Sequence, residues 1–195
     1  GIDLERFATG LRKTSQVPWV IGTVAALRPE KNLGRLIRAF AMLVREHPAL
    51  TPRLVIIGDG PEREALSTLA VQQGIADLTS FTGHRDDTPS LYASLDLFAL
   101  TSDTEQMPLS LIEAMASGLP LVATDVGDVR TMVSSENERF LGARDDAAIA
   151  GLLAALLADP DERVRLGAAN RTKAERDFDQ AVMFDAWRSL WLGAV

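Results

Sequence analysis

Short apolar runs alternate along this chain with longer stretches in which apolar residues recur every three or four positions. Val17-Pro18-Trp19-Val20-Ile21-Gly22-Thr23-Val24-Ala25-Ala26 is apolar and β-branched, the composition of a strand buried on both faces. A charged turn, Arg28-Pro29-Glu30-Lys31-Asn32, follows it. Leu33, Leu36, Ile37, Phe40, Ala41, Leu43 and Val44 then recur at helical spacing, with Asn32 placed to cap the start and Pro48 beyond the end. The pattern repeats with a strand from Arg53 to Gly58, the turn Gly58-Asp59-Gly60, and a helix from Pro61 to Gln73 that Gly74 stops. Leu78 to Gly83 reads as a third strand, Thr88 to Ser94 as a short helix and Asp96 to Leu100 as a fourth strand. Pro108, with its fixed φ and missing N–H, suits the first turn of a helix whose apolar stripe is Leu109, Leu111, Ile112 and Met115 and whose end is Gly118-Leu119-Pro120. Leu121 to Thr124 is a fifth strand, Gly127-Asp128-Val129 opens another helix, and Arg139 to Gly142 is a small sixth strand. From Asp145 onward the pattern is wholly helical, over Ala147 to Leu157, Asp161 to Asp177 and Phe178 to Leu192.

Strand and helix alternating over short connections predict a mostly parallel sheet with helices on both faces, a doubly wound, Rossmann-like α/β domain with a helical C-terminal extension. The expected division is a linker-like start over 1–16, an α/β core over 17–142 and C-terminal helices over 143–195, all within one lobe. Ligands of such folds sit beyond the carboxyl ends of the strands. The loop holding Glu105, the Arg28 to Asn32 turn, the Gly58 turn and the His84-Arg85 loop all leave strand carboxyl ends, so they are expected to converge on one crevice.

Composition narrows the chemistry. A chain of 195 residues that is 47% apolar buries a core without staples, and the absence of cysteine excludes disulfides, thiolate metal sites and a thiol nucleophile. That absence suits a reducing compartment, and a cytoplasmic location is expected. Two histidines are too few for a His-rich metal cluster. A net charge of −7 argues against a nucleic-acid surface or an anionic-membrane surface. Apolar runs such as Leu95 to Leu100 are far too short to span a bilayer. The opening Gly1-Ile2-Asp3-Leu4-Glu5-Arg6-Phe7 has no initiator methionine and reads as the end of a linker, so the chain is expected to be a piece of a longer polypeptide.

The richest stretch is Thr104-Glu105-Gln106-Met107-Pro108-Leu109-Ser110-Leu111-Ile112-Glu113, which sets two carboxylates eight residues apart across a loop-to-helix junction. Glu105 precedes the helix and Glu113 sits about a turn and a half inside it, so both can face one ligand lying across the helix N-terminus. The pair reads as hydroxyl-binding groups, as a general acid and base, or as two solvated charges. The buried strand before it, the amphipathic helix and the return into the sheet weigh against the last. Carboxylates accept hydrogen bonds from vicinal hydroxyls, and free amides over Met107 to Ser110 suit phosphate or sugar oxygens, a combination closer to a nucleotide-sugar site than to a hydrolytic one. Arg28 and Lys31 supply cations where a diphosphate needs them, although taken alone they read more simply as a charged surface turn, because charged residues are mostly exposed. Gly58-Asp59-Gly60 lacks the third glycine of a dinucleotide fingerprint, and His84 alone is as readily solvated as functional. No Walker lysine motif, nucleophile elbow or metal-ligand spacing occurs.

These residues together resemble the second, donor-binding lobe of a retaining glycosyltransferase with two Rossmann-like lobes, the GT-B architecture, of the glycogen-synthase-like family 4. Pro29-Glu30-Lys31-Asn32, Ile57-Gly58-Asp59-Gly60-Pro61, Phe81-Thr82-Gly83 and Glu105 through Glu113, continued by Ala114-Met115-Ala116 and Gly118-Leu119-Pro120, carry the resemblance. It implies that Glu105 binds hydroxyls of the donor sugar and that amides of Gln106, Met107, Leu109 and their neighbours around Pro108 contact sugar or phosphate. It further implies that Glu113 binds the ribose, that Arg28 and Lys31 hold the diphosphate and stabilise the leaving nucleotide without a metal, and that Arg85 borders the base. The donor is then a nucleotide diphosphate sugar, no further cofactor is implied, and the acceptor, whose identity is open, lies mostly in a preceding lobe. Any association with a membrane is expected only through that lobe.

The chain departs from the family at several positions. Ala25-Ala26-Leu27 stands where Gly-Arg-Leu is usual, which moves the phosphate arginine to Arg28; Gln106 and Asp128 replace common glycines, and Thr131 stands where glutamate is frequent. An epimerase or phosphorylase of the same fold, or a non-catalytic interaction domain, is the alternative reading. The last helix, Phe178 to Trp191, is richer in aromatic surface than a lone exposed helix needs, so Trp187 or Trp191 is expected to pack against the absent lobe or a partner.

Overall fold

The computed structural model describes residues 1–7 and 18–193. Six strands, β1 (Val20–Val24), β2 (Arg53–Ile57), β3 (Thr79–Gly83), β4 (Leu97–Leu100), β5 (Leu121–Thr124) and β6 (Leu141–Gly142), form one sheet in the order β3-β2-β1-β4-β5-β6. Every neighbouring pair is parallel. The helices are α1 (Leu33–Glu46), α2 (Arg63–Gln72), α3 (Thr88–Ala93), α4 (Leu109–Ala116), α5 (Val129–Met132), α6 (Asp146–Ala158), α7 (Pro160–Asp177) and α8 (Gln180–Leu192).

Alternation along the strands divides the interior in two. Leu54, Ile56, Leu97, Ala99 and Val122 face a core shared with Leu36, Ile37 and Phe40 of α1 and Ile149 and Leu153 of α6. Val55, Phe98, Leu100, Leu121 and Ala123 point the opposite way, toward Tyr92 of α3, Leu111 and Met115 of α4 and Met132 of α5. This is the doubly wound α/β arrangement that the sequence predicts. Helix α7 joins the two cores, since Leu166 packs into the first and Ala174 into the second.

Several element ends differ from the sequence reading. Strand β1 is only Val20–Val24; the Ala25 amide still donates to the Ile57 carbonyl, but at Ala26 the chain turns, with the Arg28 amide donating to the Ala26 carbonyl, and Val17 lies outside the described residues. Asp96 precedes β4 and accepts from the Val20 amide at 2.8 Å, while Leu78 and the Arg139–Phe140 pair lie in 3-10 turns before β3 and β6. Phe178 ends α7 rather than opening α8, whose N-cap is Asp179. At the start of the chain, Ile2 bridges Asp179, and Leu4 and Phe7 are buried beside Tyr92; residues 8–16 of the expected linker lie outside the described residues.

The attachment of α7 rests on a buried amide network. The Asn170 side chain donates to the Leu119 carbonyl at 3.0 Å and to Asn137 Oδ1 at 2.9 Å, and it accepts from the Ser134 hydroxyl at 2.8 Å and the Ser134 amide at 3.2 Å. Asn137 in turn accepts from the Leu121 amide and donates to its carbonyl. Both asparagines are fully buried, so removing one leaves its partners without water to replace it. Asn170→Ala is therefore expected to lower the unfolding free energy by about 2–3 kcal/mol, read from urea denaturation, whereas an exposed neighbour such as Ala168→Ser changes it little.

Candidate functional site

In a parallel sheet of this order, the chain leaves β1 and β4 in opposite directions, and the crevice between their carboxyl ends is where a ligand finds open backbone. Lys31 belongs to the turn after β1 and Glu105 to the loop after β4. The fold brings them together across 74 residues of sequence, with Lys31 Nζ 2.7 Å from Glu105 Oε1. Ser102 donates its hydroxyl to the same oxygen at 2.6 Å. The Glu105 side chain is only 7% exposed against 25% for Lys31, so the ion pair forms part of the crevice wall rather than a solvated surface contact.

A second, deeper set of contacts fixes these two loops. Asn32 adopts a left-handed conformation, φ 41° and ψ 51°, and its side-chain oxygen accepts from the Arg35 amide, which caps α1. Its side-chain nitrogen donates to Asp103 Oδ2 at 3.0 Å. Arg35, itself 7% exposed, reaches under the crevice to donate to the Thr101 carbonyl and to Asp103 Oδ1, both at 2.7 Å. The Arg35 hydrogen bond holds the Asp103 carboxyl below the usual carboxylate range. The Thr124 hydroxyl, at the end of β5, donates to the Ser102 carbonyl at 2.6 Å.

Two glycines bring the loops close. A Cβ on Gly127, whose φ is +51°, would lie 1.8 Å from the Glu105 carbonyl oxygen, and one on Gly58, φ +131°, would lie 1.9 Å from that of Ala25. Only glycine fits either contact. The loop after β5 thus presses directly against Glu105, and the loop after β2 against the end of β1.

Glu113 lies inside α4, half-buried, and accepts from the Tyr92 hydroxyl at 2.8 Å; that hydroxyl also lies 3.2 Å from the Ser110 carbonyl. Burial pushes the Glu113 carboxyl up, against the opposing effects of the Tyr92 hydrogen bond and the Arg6 charge. Burial, then the Glu113 charge, pushes the Tyr92 phenol up as well. Helix α4 begins at Leu109 after Pro108, and the amides of Gln106, Met107 and Leu109 find no partner among the described residues. Gln106 is exposed and Pro108 buried, while Met107 and Leu109 show 57% and 59% of their surface to solvent beside these amides.

The remaining expected site residues are less constrained. Arg28 shares the turn with Lys31, but its side chain is exposed and makes no hydrogen bond or ion pair among the described residues. Arg85 lies exposed in the loop after β3, at the same edge of the sheet but in no contact with Lys31 or Glu105. His84 is exposed and lies 3.3 Å from Asp86. A separate cavity of about 440 Å³ lies beside α5 and α7, but its cations are already neutralised: Arg130 by Asp125 and Glu138, Lys173 and Arg176 by Asp177. The sequence reading missed Tyr92, Ser102, Arg35 and Asp103. The signal for Ser102 and Asp103 was their place between the end of β4 and Glu105, and for Tyr92 that it is the only tyrosine in the chain.

The model of the family described as "Glycosyl transferases group 1" matches residues 6–173. The chain belongs to the group 1 glycosyl transferases. It is 34% identical over 193 residues to the D-inositol 3-phosphate glycosyltransferase of Saccharomonospora viridis, an alignment covering 90% of this chain and 45% of that protein. The chain spans about half the length of the curated relatives it matches. Among solved structures, Anabaena HepE in complex with UDP superposes with a TM-score of 0.85 at 23% identity, over all of this chain and 56% of that one. The C-terminal domain of the group 1 glycosyl transferase LpcC from Francisella tularensis gives 0.79 at 23% identity, covering 92% of this chain and 99% of that one. The fold is thus that of a GT-B C-terminal lobe. Among the described residues, no helix of this lobe is long and apolar enough to cross a membrane.

The raised Glu113 carboxyl makes stability depend on pH in a definite direction. The folded lobe holds this proton more tightly than the unfolded chain. As pH rises from the ordinary value of 4.5 through the raised one, the unfolded chain therefore ionises first and the fold loses relative stability. Relative to Glu113→Gln, the wild-type melting temperature is expected to fall across that window and then run parallel; a constant offset from pH 4 to 8 would show that burial does not govern this carboxyl.

Proposed function

We propose that this chain is the nucleotide-sugar-binding lobe of a retaining glycosyltransferase of family 4, which moves a sugar from a nucleotide diphosphate sugar to an acceptor held mainly by a preceding lobe. The observation that carries this reading is the contact of Lys31 with Glu105 at the crevice between β1 and β4, beside the unpartnered amides that open α4. In this reading Lys31, joined by Arg28, receives the diphosphate and stabilises the charge that grows on the leaving nucleotide, an electrostatic role that requires no metal. Glu105 receives hydroxyls of the sugar. The amides of Gln106, Met107 and Leu109, beside Pro108, receive sugar or phosphate oxygens, and Glu113 receives the ribose. Arg85 borders the base. That HepE is described with UDP and with UDP-glucose, on a fold this similar, supports a nucleotide donor.

Helix α8 supports the two-lobe organisation. It contributes no buried residue, and Phe184, Trp187, Leu190, Trp191 and Leu192 are all exposed, Trp191 by 81%. An apolar helix left uncovered on a chain half as long as its relatives is the surface on which a preceding lobe docks. Trp187 and Trp191 are accordingly expected to be quenched freely by acrylamide in the 195-residue chain and to be shielded in the full-length enzyme; equal quenching in both would remove this assignment.

A non-catalytic role is the second reading, favoured by Ala26, Gln106 and Thr131 at positions where the resemblance leads one to expect the phosphate arginine, a glycine and a glutamate. Calorimetry separates the two. The lobe is expected to bind at least one of UDP-, GDP- or ADP-glucose, and Glu113→Ala to weaken that binding by about 1.5–3 kcal/mol through loss of charge-assisted hydrogen bonds. Absence of binding to all three nucleotides and their sugars would remove the donor-lobe reading and leave the interaction domain.

A further inference from the structure

Lys31 and Glu105 engage each other across the crevice at 2.7 Å, whereas the proposed ligand asks for the ammonium at its diphosphate and the carboxylate at its sugar hydroxyls. At 2.7 Å, with one member 7% exposed, the two groups are coupled, and whatever draws Lys31 away leaves Glu105 with only the Ser102 hydroxyl. Gly127 lies directly against the Glu105 backbone carbonyl, and the Thr124 hydroxyl holds the Ser102 carbonyl, so the backbone that carries both Glu105 and Ser102 is fixed by neighbouring contacts.

Resting on the donor-lobe reading above, we infer that the Lys31–Glu105 ion pair is a discriminator that favours the intact nucleotide-sugar over the free nucleoside diphosphate. A nucleoside diphosphate takes Lys31 but brings no hydroxyl to Glu105. It therefore breaks an ion pair and sets its own anionic oxygens beside a largely buried carboxylate that keeps only the Ser102 hydroxyl. A nucleotide-sugar breaks the same ion pair and supplies hydroxyl donors to the oxygen that Lys31 vacates. Once the sugar has been transferred, the diphosphate left behind loses that compensation, and closure of Lys31 back onto Glu105 helps to expel it. Glu105 thus acts against one ligand and for the other, which a carboxylate that only binds sugar does not.

The test is a double-mutant cycle with the 195-residue chain, using whichever of UDP, GDP and ADP the wild type binds, together with the glucose, N-acetylglucosamine and mannose conjugates of that nucleotide. Glu105→Gln keeps the shape and removes the charge. It is expected to tighten binding of the free diphosphate by about three- to tenfold, the range of a partly buried ion pair relieved, while binding of the conjugate does not improve. The gain should vanish in the Lys31→Met background, because it operates through Lys31. Glu105→Ala gives the same sign for the free diphosphate and serves if Glu105→Gln fails to fold by circular dichroism. Weaker or unchanged diphosphate binding in both Glu105 variants, with the wild type binding normally, would overturn the discriminator and leave the donor-lobe reading standing. A wild type that binds no nucleotide overturns both.

Discussion

A buried guanidinium holds the crevice together. Arg35 leaves the first turn of α1, passes beneath the loops that follow β1 and β4, and ends on the Thr101 carbonyl and the Asp103 carboxylate. A positive charge with so little access to water is tolerable only when its donors are met by well-placed acceptors, and here one acceptor is charged and the other is the carboxyl end of a central strand. The same Asp103 accepts from Asn32, whose left-handed backbone turns the chain from the Lys31 turn into α1. The separation of Lys31 and Glu105 is therefore set from below, by contacts that neither residue makes. Truncating Arg35 would leave Asp103 short of a partner and free both loops to drift, a larger effect than the loss of one hydrogen bond.

Much of this lobe was legible in the pattern of its side chains. The strands from Arg53 onward and the helices α1, α4, α6 and α7 fall within a residue or two of the positions the sequence pattern marks, because the helices repeat apolar residues at helical spacing and the central strands β4 and β5, buried throughout, are short apolar runs bounded by polar or turn residues. The first strand reads too long because Ala25 and Ala26 are apolar in composition but are used to turn the chain. Glu105, Lys31 and Glu113 stood out by type and position, and the convergence of their loops follows from parallel strands. That Lys31 touches Glu105 does not follow from spacing, since it depends on β1 lying next to β4, a neighbour relation that no local pattern encodes. Arg35 escaped because a charged residue on a helix is ordinarily read as a solvated face. Tyr92 escaped because α3 is too short to show a buried side by periodicity.

The two glutamates of the site sit in different environments. Glu105 is compensated by an ammonium and a hydroxyl. Glu113 is held by a neutral phenol, and burial raises its proton affinity. On the proposed donor-lobe reading, a ligand that offers hydroxyls replaces existing partners at the first position and relieves a desolvated carboxylate at the second. The second position is where the lobe gives up stability at neutral pH, as functional sites commonly do.

The contact between Gly127 and the Glu105 carbonyl limits how this crevice can change over evolutionary time. With backbone against backbone, there is no side chain at that point to enlarge, shrink or exchange, and any Cβ would collide. Position 127 is therefore closed to substitution. Its exposed neighbours Gln106, Met107 and Asp128 carry no such constraint, and any change along these two loops falls to positions of that kind.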